Sequence, residues 1–126
     1  MNFPEHLQYT AEHEWVRMDG DTATMGITDY AQDALGDVVF VGLPELGRVV
    51  AAGDSIAEVE STKSVSDIFA PVAGVIVEVN EELNTTPELL NTDPYGEGWI
   101  CRITASGDNA GQLLNIEAYR KLLHSE

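Results

Sequence analysis

The chain has 126 residues, 44% of them hydrophobic, which suits one domain with a real buried core and leaves no room for a second. Twenty-two acidic residues against six basic ones give a formal net charge of -16, which argues against nucleic acid or an anionic membrane as partner and favours a soluble monomer. No stretch approaches the roughly 18 consecutive apolar residues of a membrane helix, and a single cysteine, Cys101, excludes an internal disulfide. The segment Met1-Asn2-Phe3-Pro4-Glu5-His6 has neither a basic start followed by an apolar run nor an Arg/Ser-rich amphipathic pattern, so the expected location is a bacterial cytoplasm.

Along the chain, Glu14 to Met18 alternates around Trp15 and predicts a strand, Asp19-Gly20 a hairpin turn, and Thr22 to Ile27 the returning strand. Thr28 or Asp29 can cap a short helix over Tyr30 to Leu35, which Gly36 stops. Val38 to Val41 is a β-branched and aromatic run short enough for a buried strand. After Leu43-Pro44-Glu45-Leu46-Gly47 come Val49-Val50, a turn at Ala52-Gly53-Asp54, and a strand from Ser55 to Glu60. Hydrophobicity drops over Ser61-Thr62-Lys63-Ser64 and resumes from Val65 through Phe69. Val75, Val77 and Val79 then alternate with Ile76, Glu78 and Asn80; Pro87 opens a helical turn at Glu88-Leu89-Leu90, and Trp99 to Ile103 forms a last strand. Ile116, Tyr119, Leu122 and Leu123 make an apolar stripe at helical spacing. Short strands with turn signals between them predict a mostly β fold, a small sandwich or flattened barrel, with a short helix and a C-terminal helix.

Conventional catalytic constellations are missing, so the chain reads as a non-enzyme. Glu12-His13-Glu14 has metal-ligand residue types, but consecutive strand residues point to opposite faces and no second His or Cys cluster completes a shell. Gly96-Glu97-Gly98 lacks the third glycine and following helix of a dinucleotide fingerprint. Cys101 lies in an expected strand without a neighbouring His and reads as a packed thiol. Lysine is scarce: Lys121 belongs to the C-terminal helix, whereas Lys63 stands at a hairpin tip among Ser61, Thr62 and Ser64. Spacing alone makes Lys63 an exposed turn lysine whose small neighbours leave the amine reachable by a modifying enzyme.

The segment Val59-Glu60-Ser61-Thr62-Lys63-Ser64-Val65-Ser66-Asp67-Ile68-Phe69-Ala70-Pro71-Val72-Ala73-Gly74 resembles the lipoylation hairpin of glycine cleavage system H-proteins. Related biotinyl domains place Met on both sides of the lysine, and lipoyl domains of 2-oxoacid dehydrogenases place Asp before it and Ala after it; here Thr62 and Ser64 flank it. The resemblance continues through Tyr9-Thr10, Glu12-His13-Glu14-Trp15-Val16, Gly26 to Gln32, Leu35 to Val38, Leu43 to Gly47 and Asn91 to Trp99. Thr62 and Ser64 depart from the Val and Ala usual in the family, and both replacements are small.

This resemblance implies a barrel-sandwich hybrid of the lipoyl/biotinyl type, a single carrier domain over 1–126 with its lipoyl-binding core at about 22–104 and a helical extension at about 108–124. It implies lipoate in amide linkage to Lys63. The implied function is a shuttle, moving the aminomethyl group of glycine from a pyridoxal-phosphate glycine decarboxylase (P-protein) to a tetrahydrofolate-dependent aminomethyltransferase (T-protein), then electrons to dihydrolipoamide dehydrogenase (L-protein). A lipoyl ligase or transferase is a further implied partner, and service as a lipoyl relay for other proteins is the alternative. In this family the loaded arm folds into a cleft near the N-terminal signature, and on that resemblance Glu14 and Asp67 are candidate partners for its ammonium group.

Overall fold

The computed structural model describes residues 1–106 and 113–125 and arranges them as two antiparallel sheets that share one core. The strands are β1 (Gln8–Tyr9), β2 (Glu14–Asp19), β3 (Thr22–Ile27), β4 (Val38–Gly42), β5 (Val49–Val50), β6 (Ser55–Ser61), β7 (Val65–Phe69), β8 (Gly74–Val79) and β9 (Cys101–Ala105). The helices are α1 (Asp29–Leu35), α2 (Glu82–Thr85), α3 (Leu89–Thr92) and α4 (Ile116–Ser125). The larger sheet runs β1-β2-β3-β9-β8-β5 and the smaller β4-β6-β7, so the mostly β architecture read from the sequence is the one observed.

β2 shows how alternation builds two cores from one strand. Glu14, Trp15 and Val16 are all buried in succession, because successive side chains leave a strand on opposite faces. Val16 joins the main core with Met25, Ile27, Val41, Val59, Ile68 and Ile103, whereas Trp15 turns outward into a second cluster with Leu7, Tyr9 and Tyr119. That second cluster is roofed by α4. Tyr9 stacks on Tyr119 with ring centroids 4.7 Å apart and planes 8° from parallel, and Tyr9 exchanges backbone hydrogen bonds of 2.7 Å with Leu114 just before the helix. Ile116, Leu122 and Leu123 of the helical stripe pack there too.

The short helix follows the sequence closely. The Thr28 hydroxyl accepts the Ala31 N–H at 3.2 Å as N-cap, and Gly36 ends the helix at φ +80°, a conformation that favours glycine. Asn91 of α3 then fastens this end: its amide donates to the Gly36 carbonyl at 2.8 Å, and its carbonyl accepts the Val38 N–H at 2.9 Å.

Four elements differ from the sequence expectation. The last strand begins at Cys101 rather than Trp99, because Trp99 is still held in a turn by its N–H to Gly96 and its ring stacks under the Arg102 guanidinium, 4.2 Å from the centroid. Within β8 the alternation breaks at a register shift between Ile76 and Glu78, which buries Ile76 and leaves both Val77 and Glu78 exposed. β1 and α2 carry no local signal: the first exists through pairing with Trp15 and Val16 and a bridge to Leu114, the second as one turn launched from Asn80. Of the expected C-terminal extension, residues 108–112 lie outside the described residues.

Gly26 is opposite Trp15 across β2 and β3, and a Cβ placed there would come within 2.7 Å of the indole nitrogen that donates to Pro94 O at 2.8 Å. A buried ring cannot swing aside without repacking, so Gly26→Ala should destabilise by about 1–3 kcal/mol. A lowered urea midpoint at unchanged slope checks this.

Candidate functional site

The β6–β7 hairpin carries Lys63 at its tip, and Ser61 shapes that tip. Its hydroxyl oxygen accepts the N–H groups of Lys63 and Ser64, each at 3.1 Å, while the Ser61 N–H donates to the Ser64 carbonyl at 2.8 Å. A serine turning back on its own loop in this way replaces sheet hydrogen bonds where the ladder ends. The Thr62 N–H donates to Asp37 O at 3.0 Å, tying the tip to the segment between α1 and β4. Lys63 is exposed. Its stem lies across Gly36, where a Cβ would come within 3.2 Å of Cε and 3.4 Å of Cδ. The backbone angle is what requires glycine at Gly36, and the absent side chain leaves the lysine stem free to lie over it.

Beside the tip runs a groove of about 410 Å³. Tyr30, Ala31, Ala34 and Leu35 of α1 form one wall; the two alanines, three residues apart, leave the space that larger side chains on that helix face would fill. Ser64, Asp67, Ile68 and Phe69 form the other wall, and Glu12 with His13 borders it from the β1–β2 turn. His13 holds a left-handed backbone at φ +69°, uncommon for a residue with a side chain. Its ring lies against Tyr30 with centroids 4.6 Å apart, and its Nδ1 is 2.9 Å from the Tyr119 hydroxyl. The same hydroxyl is 2.9 Å from Thr28 Oγ1, the cap of α1. One tyrosine on α4 thus holds both the His13 turn and the start of the α1 wall.

Of the residues singled out in the sequence, Lys63 stands at the tip and Asp67 lines the groove, facing Glu58 across the hairpin. Glu14 lies behind the wall, only 2% exposed. Its Oε1 accepts the Thr10 hydroxyl at 2.7 Å and its Oε2 accepts the Phe69 N–H at 3.1 Å. Burial pushes its carboxyl up to about 7, against the opposing pull of the Thr10 and Phe69 hydrogen bonds and with a smaller push from Glu12. His13, Tyr30 and Tyr119 were not legible as site residues, because they meet only through the fold. Among the described residues no helix is long and apolar enough to cross a membrane.

A family model described as "Glycine cleavage H-protein" matches residues 7–126. The glycine cleavage system H protein of a Thermus thermophilus strain is 59% identical over all of this chain and 99% of its own length. That of Bacteroides thetaiotaomicron is 50% identical over 98% of this chain and 99% of its own. The chain belongs to the glycine cleavage H-protein family. A solved structure of the same family, the H protein of Mycobacterium marinum, superposes with a TM-score of 0.86 at 45% identity, covering 97% of this chain and 99% of the other. Membership in the H-protein family accounts for the barrel-sandwich architecture and for the hairpin at its edge.

The Glu14 proton has a consequence for stability. Its folded pKa of about 7 lies above the ordinary 4.5, so between those values the native state keeps a proton that the unfolded chain has lost. Stability from this group is therefore present below about pH 4.5 and falls as pH rises to about 7. Glu14→Gln preserves the shape and can satisfy both Thr10 and Phe69. Relative to wild type it should be of similar stability below about pH 4.5 and more stable by on the order of 2 kcal/mol above pH 7. Paired denaturation curves across pH would show this gap opening, and a pH-independent difference would refute it.

Proposed function

We propose that Lys63 carries lipoate in amide linkage and that the chain serves as the lipoyl shuttle of glycine cleavage, a carrier rather than a catalyst. The observation that carries this reading is an exposed lysine on a hydrogen-bonded hairpin tip beside a groove, in a chain of the H-protein family. Lipoate fits what surrounds it: the amine is reachable, its neighbours are small, and the adjoining groove is walled by alanines, Leu35, Ile68 and Phe69.

Attachment follows from ordinary amine chemistry. An amine cannot displace oxide from a free carboxylate, so acylation needs an activated acyl donor and loss of the ammonium proton. Once deprotonated in a ligase or transferase, Nζ attacks the carbonyl of a lipoyl adenylate; the amide bond forms, the acyl–oxygen bond breaks, and AMP departs with its electron pair. Held on Lys63, lipoate would supply a strained ring disulfide, the chemistry needed to take up an aminomethyl group together with its electron pair and to be reoxidised after the group is released.

This chain's residues position and shelter. Ser61 and the Thr62–Asp37 hydrogen bond fix where the arm starts, so partners meet it at a defined point and at high effective concentration. The groove gives the loaded arm a partly apolar resting place beside the tip. Asp67 on its wall offers a carboxylate to a cationic aminomethyl end, and Glu14, behind Phe69, adds negative charge when ionised. The strongly acidic surface, -16 in all, keeps the carrier monomeric and attracts basic patches on P-, T- and L-proteins in a bacterial cytoplasm.

Intact mass and peptide mapping of protein made in cells supplied with lipoate and a lipoyl ligase test the assignment. One lipoyl amide increment is expected, confined to the Lys63 peptide and lost in Lys63→Ala; a biotin increment or an unmodified Lys63 would sink it. For the shelter, Asp67→Asn should shorten the lifetime of the loaded form several-fold, read as formaldehyde release, and an unchanged lifetime removes Asp67 from that role.

A further inference from the structure

The outer face of the three-stranded sheet presents apolar side chains where a small acidic protein has no folding use for them. β4 pairs with β6 through Val38 opposite Ser61 and Phe40 opposite Glu60, so Val39 is an extra residue in the ladder. Such a bulge re-aims the side chains around it. Val39 and Phe40 are 55% and 51% exposed, while Val38 and Val41 on either side are buried. The register continues across the hairpin, with Glu60 opposite Val65, itself 61% exposed. Directly paired residues share a face. Phe40, Glu60 and Val65 therefore form one row across the sheet, and Gly42, Glu58 and Asp67 form the row behind it. The apolar row is the one nearer the hairpin tip, with Val65 two residues from Lys63.

We infer that the Phe40–Val65 row, with Val39 beside it, is the docking surface for the enzyme that acylates Lys63, a partner with an apolar seat inside a basic rim. This rests on the reading of Lys63 as the acylated residue. Reach selects that partner. An enzyme that forms a bond to Nζ must bring its catalytic centre onto the tip, and strand spacings put Phe40 and Val65 within about 10 Å of it. Enzymes that act at the far end of a finished arm can stand back by the arm's length. Charge selects the rim, because Glu58, Glu60 and Asp67 interleave with the apolar side chains and no basic residue occupies either row. A second copy of this chain is disfavoured. Three side chains fall far short of the roughly 1,000 Å² a stable interface buries, and a two-fold axis would set the acidic rows against each other.

The test is steady-state acylation of the apo protein by a lipoyl ligase with lipoate and ATP, comparing wild type with Phe40→Thr, Val65→Thr and Phe40→Leu. Both threonine variants should raise KM for the carrier about tenfold with kcat within about twofold, and Phe40→Leu should stay near wild type. Added salt should raise KM in all four in parallel. The same variants, fully lipoylated with excess ligase, should be reduced by dihydrolipoamide dehydrogenase and NADH at the wild-type rate. Val65→Thr keeps strand propensity and shape, so its result stands even if Phe40→Thr folds poorly. Wild type acylated at Lys63 with an unchanged KM in Val65→Thr and folded Phe40→Thr overturns the docking surface alone. A wild type that is not acylated overturns the reading of Lys63 and the docking surface with it.

Discussion

A carboxyl group without room for water must find its hydrogen bonds within the protein, and Glu14 finds them in two different places. One oxygen takes the Thr10 hydroxyl, closing the β1–β2 turn, and the other takes the Phe69 N–H from β7 of the smaller sheet. The connection therefore runs from one sheet to the other at the strand that carries the lysine hairpin. Apolar packing between sheets is non-directional and tolerates sliding; a hydrogen bond from a buried acid does not. The relation of the tip to the groove depends on this contact, since Phe69 is itself part of the groove wall.

The opposite wall is fixed in a similar way from farther along the chain. Tyr119 is buried on α4 in a cluster with Tyr9 and Trp15, and its hydroxyl meets His13 and Thr28. His13 sits in a backbone conformation costly for its type, which ring contact with Tyr30 and the Tyr119 hydrogen bond hold in place. Thr28 in turn caps the helix whose alanines open the groove. The C-terminal helix reaches the groove without lining it, by orienting two residues from different elements with one phenolic oxygen.

Much of this was legible in the sequence, and the rest failed for identifiable reasons. The hairpin was readable because four polar residues, Ser61 to Ser64, interrupt two β-forming runs. The helix was readable because Thr28 and Gly36 mark its two ends with side-chain and backbone chemistry. Glu14 was placed at the cleft by resemblance, while its parity with Val16 on β2 already pointed it toward the core side, where the structure has it. The α1 wall and the Tyr119 contacts join residues 28, 13 and 119, and no local pattern encodes such a meeting. Bulges account for two of the departures: Val38 to Val41 was expected to be a buried strand, yet the extra residue at Val39 leaves Val39 and Phe40 exposed, and the extra residue between Ile76 and Glu78 breaks the expected alternation.

Cys101 has a place in this picture through what its burial prevents. It lies in the main core on β9, fully enclosed, and burial pushes its thiol up to about 12. Thiol–disulfide exchange proceeds through the thiolate, so this sulfur is withheld from attack by both access and protonation. A carrier built around a dithiolane must keep its own chain from competing for that sulfur chemistry. By folding its only thiol out of reach, the protein cannot be short-circuited by a mixed disulfide with itself.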